Sequence, residues 1–271
     1  MPKKKAAIPV GRRICNVLPS HNVETDWSFG SALAAEAIAA PPAALPASVD
    51  LREAWWDIGD QEMTGSCVGW ASTDGVARYH LVKAGRLGET EHLSPRFTWM
   101  ASKETDEFVV RPETFIEGAG TSLKAAADIP RKYGAAPESA LPFHITTAMY
   151  GGKEDDFYAL VATRKIAAYF NLKRDLPSWR AWLAAHGPLL VGLSVDRTWD
   201  NAKQTHGMLD GFQPNTVRGG HAVAVVGYRD DGRFILRNSW GTQTWGDAGF
   251  AYASEDYINA AFFDEAYGFT L

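Results

Sequence analysis

Cysteine is nearly missing from this chain: 271 residues contain two, at positions 15 and 67. Two thiols cannot build the multi-bridge framework of a small secreted domain, and a chain of this length does not need one. Long apolar runs are missing too. The basic start Lys3-Lys4-Lys5 leads into Ala6-Ala7-Ile8-Pro9-Val10, too short for a signal peptide's apolar core, and Arg12-Arg13 follow where small residues would be needed. There is no Asn-x-Ser/Thr acceptor and no internal repeat. Positive excess is also absent: 27 Lys and Arg against 32 Asp and Glu give a net charge of −5, which argues against nucleic acid or an acidic membrane as partner. The histidines at 21, 80, 92, 144, 186 and 206 show no metal-ligand spacing, so no metal or other cofactor is expected. The expected location is cytoplasmic, or outside the cell by a route without a recognisable signal.

What is present is apolar and aromatic. Hydrophobic residues make up 46% of the chain and ten are tryptophan, enough for one large domain or two lobes sharing a cleft. Residues 31–40 (SALAAEAIAA) read as a short helix ended by Pro41-Pro42, so 1–46 form an extension and linker ahead of a domain at 47–271. Ser66 is a good N-cap for a helix running to about Lys83, with Val68, Ala71, Gly75, Tyr79 and Val82 spaced for one buried face. Further helices are expected from Thr121 to Gly134 and from Leu176 to His186. The period then becomes strand-like at 189–195, 221–228 and 234–237, with a turn at Asp230-Asp231-Gly232. Helices first and strands second give an α+β chain: a helical lobe at about 57–150 and a β lobe at about 151–271, strapped by 47–56.

Three segments carry chemistry. Cys67 lies one residue into its helix, where free N–H groups favour thiolate over thiol. Taken alone it reads as a small buried hydrophobe. His221 opens an apolar strand after two glycines, and the hairpin that follows returns Asn238 to its side. There an amide oxygen can fix the imidazole's tautomer and orientation.

Quoted as they stand, GSCVGWA (65–71), GGHAVAVVGY (219–228) and RNSWGTQTWGDAGF (237–250) resemble the signature blocks of the papain-like cysteine peptidases. The match runs in order over about 47–250, with SVDLR (48–52), HLSPRF (92–97), GAGTSL (118–123) and GPLLV (187–191) also in place. The resemblance implies a two-lobe fold, a helical lobe and an antiparallel β-barrel-like lobe with the cleft between them. It implies Cys67 as nucleophile, His221 as its acid–base partner in a thiolate–imidazolium pair, Asn238 orienting His221, and Gln61 completing an oxyanion hole. Gly118, Gly120, Gly220 and Trp240 would line the substrate path, with Trp240 covering the His221–Asn238 bond. Thr64 stands where many eukaryotic members carry a disulfide cysteine, which suggests a bacterial-type, bridge-free member.

The implied activity is hydrolysis of peptide or protein substrates by a monomeric endopeptidase. Acyl transfer to an amine, and a catalytically silent peptide-binding cleft, are the alternatives. Val17, Leu18, Trp27 and Phe29 are apolar anchors in the extension. Part of it is expected to lie over the cleft as a short pro-segment, the alternative being the back of a lobe. Were it to reach the cleft, a reversible Cys15–Cys67 bridge becomes conceivable.

Overall fold

The computed structural model describes residues 8–106, 117–144 and 153–271. The expected lobe boundary near 150/151 and the basic run at Lys3–Lys5 fall outside these residues. No helix among the described residues is long and apolar enough to cross a membrane.

The architecture is α+β. Eight strands form one sheet in the order β2 (Ala168–Asn171), β8 (Phe262–Thr270), β3 (Leu189–Val195), β5 (Gly219–Tyr228), β6 (Phe234–Arg237), β7 (Phe250–Ala253) and β4 (Met208–Leu209), with β1 (Val49–Asp50) beside β5. Every pairing is antiparallel except β4 with β7. The sheet stays open, with β2 and β4 as its edges, rather than closing as a barrel.

Strand β5 is buried along nearly its whole length, which is why it reads as a continuous apolar run rather than an alternating one. It pairs β3 from Leu189↔Val225 to Val195↔Gly219, so Leu193 lies opposite His221. On its other side β6 returns after the Asp230-Asp231-Gly232 turn, where Gly232 takes φ 88°.

One helical segment, residues 67–83, lies against this sheet. It is α-helical at Cys67–Gly69, widens to π-helix at Trp70–Ala77 and is α-helical again at Arg78–Lys83. Val68, Ala71, Gly75 and Tyr79 are buried as read from the sequence, but burial also extends around the segment from Ser66 to Tyr79, with Trp70 alone half-buried there. Its polar residues are therefore paired inside the molecule. Ser72 Oγ donates to Val68 O at 2.7 Å, and Thr73 Oγ1 to Thr98 Oγ1 at 2.6 Å on the helix Pro95–Thr105. Asp74 accepts from Arg78 at 3.2 Å and from Arg237 of β6 at 2.6 Å. This buried ion network fastens the helix to the residue preceding Asn238.

The other expectations shift at their ends. The helix Leu123–Lys132 is capped by Ser122, and Leu176–Ala185 by Asp175. The Ala-rich 31–40 run yields only Phe29–Ala34, started by Ser28 and stopped before Glu36, which takes φ 53°. Six residues are too few to hold a helix in water by themselves, so this turn depends on the burial of Phe29 and Ala32. Asp155 and Asp156 sit in the first turn of the helix Glu154–Ala162, where their charge suits the helix dipole.

Candidate active site

Cys67 is fully buried at the start of its helix, with Ser66 in the N-cap place. The Ser66 hydroxyl does not cap a helical N–H as the sequence suggests; it lies 2.6 Å from Thr64 Oγ1 instead. Backbone N–H groups of Ala222, which follows His221, and of Val68 and Cys67 itself favour the ionised thiol, against the larger effect of burial.

His221 Nε2 and Asn238 Oδ1 are 2.7 Å apart, and Ser239 N also donates to that oxygen at 2.8 Å. An amide oxygen only accepts, so Nε2 carries the proton in the neutral ring. His221 Nδ1 has no partner and is the ring nitrogen left to take a proton from a thiol. The Trp240 ring lies 4.7 Å from the imidazole, and Trp199 meets it edge-on at 5.5 Å. The sequence pointed to Trp240 but not to Trp199, which arrives on the short turn Arg197–Asn201 with no motif around it.

Gln61 is oriented by its oxygen. Its Oε1 accepts from Ser239 Oγ at 2.9 Å and Trp240 Nε1 at 3.2 Å. That turns Nε2 toward Thr64 O at 3.0 Å and Ile14 O at 3.5 Å. Gln61 N also donates to Ser239 O at 2.8 Å, so the Gln61 turn and the Asn238 strand end are tied together.

Residues 13–20 run along the same cleft. Arg13 bonds Asp60 and the carbonyls of Glu62 and Trp240. Asn16 Nδ2 donates to Gly118 O. Val17 N donates to Gly220 O at 3.0 Å and Leu18 N to Thr121 O at 3.1 Å. Ser20 N donates to Glu265 Oε1 at 2.7 Å. The glycines make room for this path: a Cβ on Gly120 would fall 1.9 Å from Asn16 O, and one on Gly219 2.1 Å from Cys15 O. Gly118, Gly120, Gly220 and Trp240 thus all contact the segment. Val17 and Phe29 are buried as anchors should be, whereas Trp27 is 56% exposed.

Burial under the segment works against charge. It pushes the Cys67 thiol from its ordinary 9.0 up to about 12, with Cys15 adding to the rise. It pushes His221 from 6.5 down to about 4, despite the Asn238 hydrogen bond. Burial in the closed cleft thus opposes the ion pair that the resemblance implies. Cys15, likewise raised to about 11 by burial, and Cys67 are both free thiols. Among the described residues no group of three or more His, Cys, Asp or Glu is placed to hold a metal ion.

Residues 45–266 match the family model described as papain family cysteine protease. The chain belongs to the papain family. Among solved structures, this papain-family chain is similar to xylellain, a cysteine protease from Xylella fastidiosa, at 24% identity over 96% of each chain and a TM-score of 0.77. It is also similar to digestive procathepsin L 3 of Tenebrio molitor larval midgut, at 21% identity over 94% of this chain and 76% of that one, with a TM-score of 0.66. The proform of the ragweed pollen allergen Amb a 11 matches at 21% identity over 92% and 75%, with a TM-score of 0.61. At these identities the likeness establishes the fold. No curated protein matches the chain.

Proposed function

We propose that this papain-family chain is a cysteine endopeptidase restrained by residues 13–20 of its own N-terminal extension. Once the segment withdraws, water reaches Cys67 and His221, and the thiol proton passes to His221 Nδ1. The thiolate attacks the scissile carbonyl carbon. The resulting oxyanion is met by Gln61 Nε2 and the Cys67 N–H. Collapse expels the amine, which takes the proton from the imidazolium and leaves a thioester. Water then attacks the thioester as His221 accepts its proton, and the acid departs as the thiol re-forms. Asn238 keeps the imidazole in register throughout. No metal or organic cofactor is needed for these steps.

The observation that carries this reading is a single one. A carbonyl of an extended chain segment, Ile14 O, lies at the Gln61 Nε2 donor, while Val17 and Leu18 bond the cleft walls through their backbones. A cleft that receives one extended peptide in this way is suited to another. Endopeptidase action is supported by the cleft running on beyond Arg13, into a cavity lined by Ile8, Ile58 and Thr242.

Comparing the full chain with one beginning near Leu45 on a peptide-amide substrate tests the proposal. The shorter chain is expected to be faster, and equal rates would remove the restraint from the reading. Labelling by a vinyl sulfone separates the silent-cleft alternative: no adduct at Cys67 in the shorter chain favours it. Product that depends on added amine would identify acyl transfer instead.

A further inference from the structure

Arg13 anchors the Trp240 end of the segment through its side chain, and the pocket that holds it is built by the body of the protein. The guanidinium Nη1 donates to Asp60 Oδ1 and, at 2.9 Å, to Glu62 O. Nη2 donates to Asp60 Oδ2 and to Trp240 O, both at 3.1 Å. Two parallel bonds to a carboxylate form the fork that a guanidinium makes and an ammonium cannot. The side chain is 1% exposed, so this charge is fully lodged in its place.

Bonds within the body of the protein also hold the pocket. Asp60 Oδ1 accepts from Glu62 N at 2.8 Å, which fixes the carboxylate. Glu62 takes φ 56°, a left-handed turn that few non-glycine residues adopt, and its carbonyl is one of those Arg13 reaches. The two loops are joined by Gln61 N to Ser239 O at 2.8 Å and Gly241 N to Gly59 O at 3.0 Å. Gly241 has no side chain, and a Cβ there would come 3.1 Å from Asp60 Oδ2. A cavity of about 280 Å3 continues from Arg13 past Thr242, Gln243 and Thr244. These bonds place a carboxylate and two carbonyls beside Gln61, all turned to the Arg13 guanidinium.

We propose that Asp60, with the carbonyls of Glu62 and Trp240, forms a subsite for an arginine side chain of the substrate, on the Trp240 side of Cys67. In the closed chain Arg13 fills that subsite in the substrate's stead. This inference rests on the peptidase reading for its role in turnover, but the pocket's affinity for a guanidinium can be measured without turnover.

The test uses the full chain carrying Arg13→Ala, or Arg13→Gln if the first does not fold. N-acetyl-arginine amide at about tenfold its dissociation constant is expected to raise the melting temperature of this variant by about 2 °C or more. The wild-type chain, whose pocket is filled, and the variant with added Asp60→Asn are expected not to respond. N-acetyl-citrulline amide, which keeps the shape and lacks the charge, is expected to have no effect. In turnover, quenched peptides with Arg or citrulline at successive positions should show a preference for Arg of about tenfold in kcat/KM at one position, lost with Asp60→Asn. A flat thermal response, a response that survives Asp60→Asn, or an absence of any arginine preference overturns the subsite. If neither these variants nor the chain beginning near Leu45 cleaves any peptide, the peptidase reading fails and the thermal arm alone decides the pocket.

Discussion

The N-terminal extension meets the rest of the molecule in two different ways. Residues 13–20 enter the cleft, and much of their hold comes from main-chain groups: Val17 and Leu18 donate N–H to Gly220 and Thr121. Residues 28–39 instead rest on the helix Leu176–Ala185. Phe29 packs edge-on against Trp182 at 5.6 Å and lies 6.2 Å from His186. The second contact is ordinary apolar burial that any well-fitting side chains could make. The first is a set of donors and acceptors that also suits an extended substrate. The difference teaches that the same stretch of chain can be held tightly in one part and be exchangeable for another molecule in the next.

Four experiments would break or sharpen that contrast. The largest effect is expected from Cys67→Ala, which removes the atom proposed to attack. Turnover of a peptide amide should vanish with or without the extension, and residual hydrolysis would assign the chemistry elsewhere. Gln61→Ala comes next, with a loss of about 10²–10³ in kcat from one missing oxyanion donor. A loss as complete as that of Cys67→Ala would mean that Gln61 does more than stabilise the oxyanion.

Then the two parts can be set against each other. Val17→Glu places a charge where the side chain is buried, and is expected to raise full-chain hydrolysis by about 10-fold or more through weakened closure. Phe29→Ala should lower stability by about 3 kcal/mol and leave the hydrolysis rate as it was. If Phe29→Ala raised the rate as much as Val17→Glu, the two regions would not be distinct.

The smallest and most graded effect is expected from pH. With the segment in place His221 is pushed down to about 4, so the closed form's advantage from this group is present above its ordinary 6.5. That advantage is lost as pH falls from 6.5 toward 4. Cys67, pushed up to about 12, favours closure below its ordinary 9.0 and ceases to as pH rises toward 12. Glu265, raised by burial next to Ser20, opposes the His221 effect only in the acid range of carboxylates. Closure should therefore be firmest between about pH 6.5 and 9. Hydrogen exchange at the Val17 and Leu18 amides, corrected for intrinsic rate, would check this: faster opening at pH 5 than at 7.5 is expected, and an unchanged opening constant would remove His221 from the balance.

Much of the fold and of the candidate site was legible because it is carried by short, local patterns. The apolar run of β5 and the helical stretches from Thr121 and Leu176 each concern neighbouring residues, and so do the blocks around Cys67, His221 and Asn238. What was not legible depends on distant partners. Asp74, Arg78 and Arg237 look like surface charges until the helix and β6 meet. Trp199 has no motif, and nothing beside Arg13 in the sequence points to Asp60 as its partner. Strand β8 was missed because Asp264 and Glu265 interrupt its apolar pattern and its register with β3 shifts between Val191 and Leu193. The widened turn at Trp70–Ala77 breaks the 3.6-residue period on which the single-face reading depended.

The position of β8 also sets an order of events during synthesis. It lies between β2 and β3, which are made well before it, so the sheet stays divided until residues 262–270 are available. Pairings this far apart in sequence form slowly. The partners of the cleft segment, Gly220 and Glu265, belong to this late-forming half as well. A nascent chain thus presents residues 13–20 long before there is a cleft to fill. When the sheet is finally joined, the occupant is already attached, and the active site is completed with a peptide inside it.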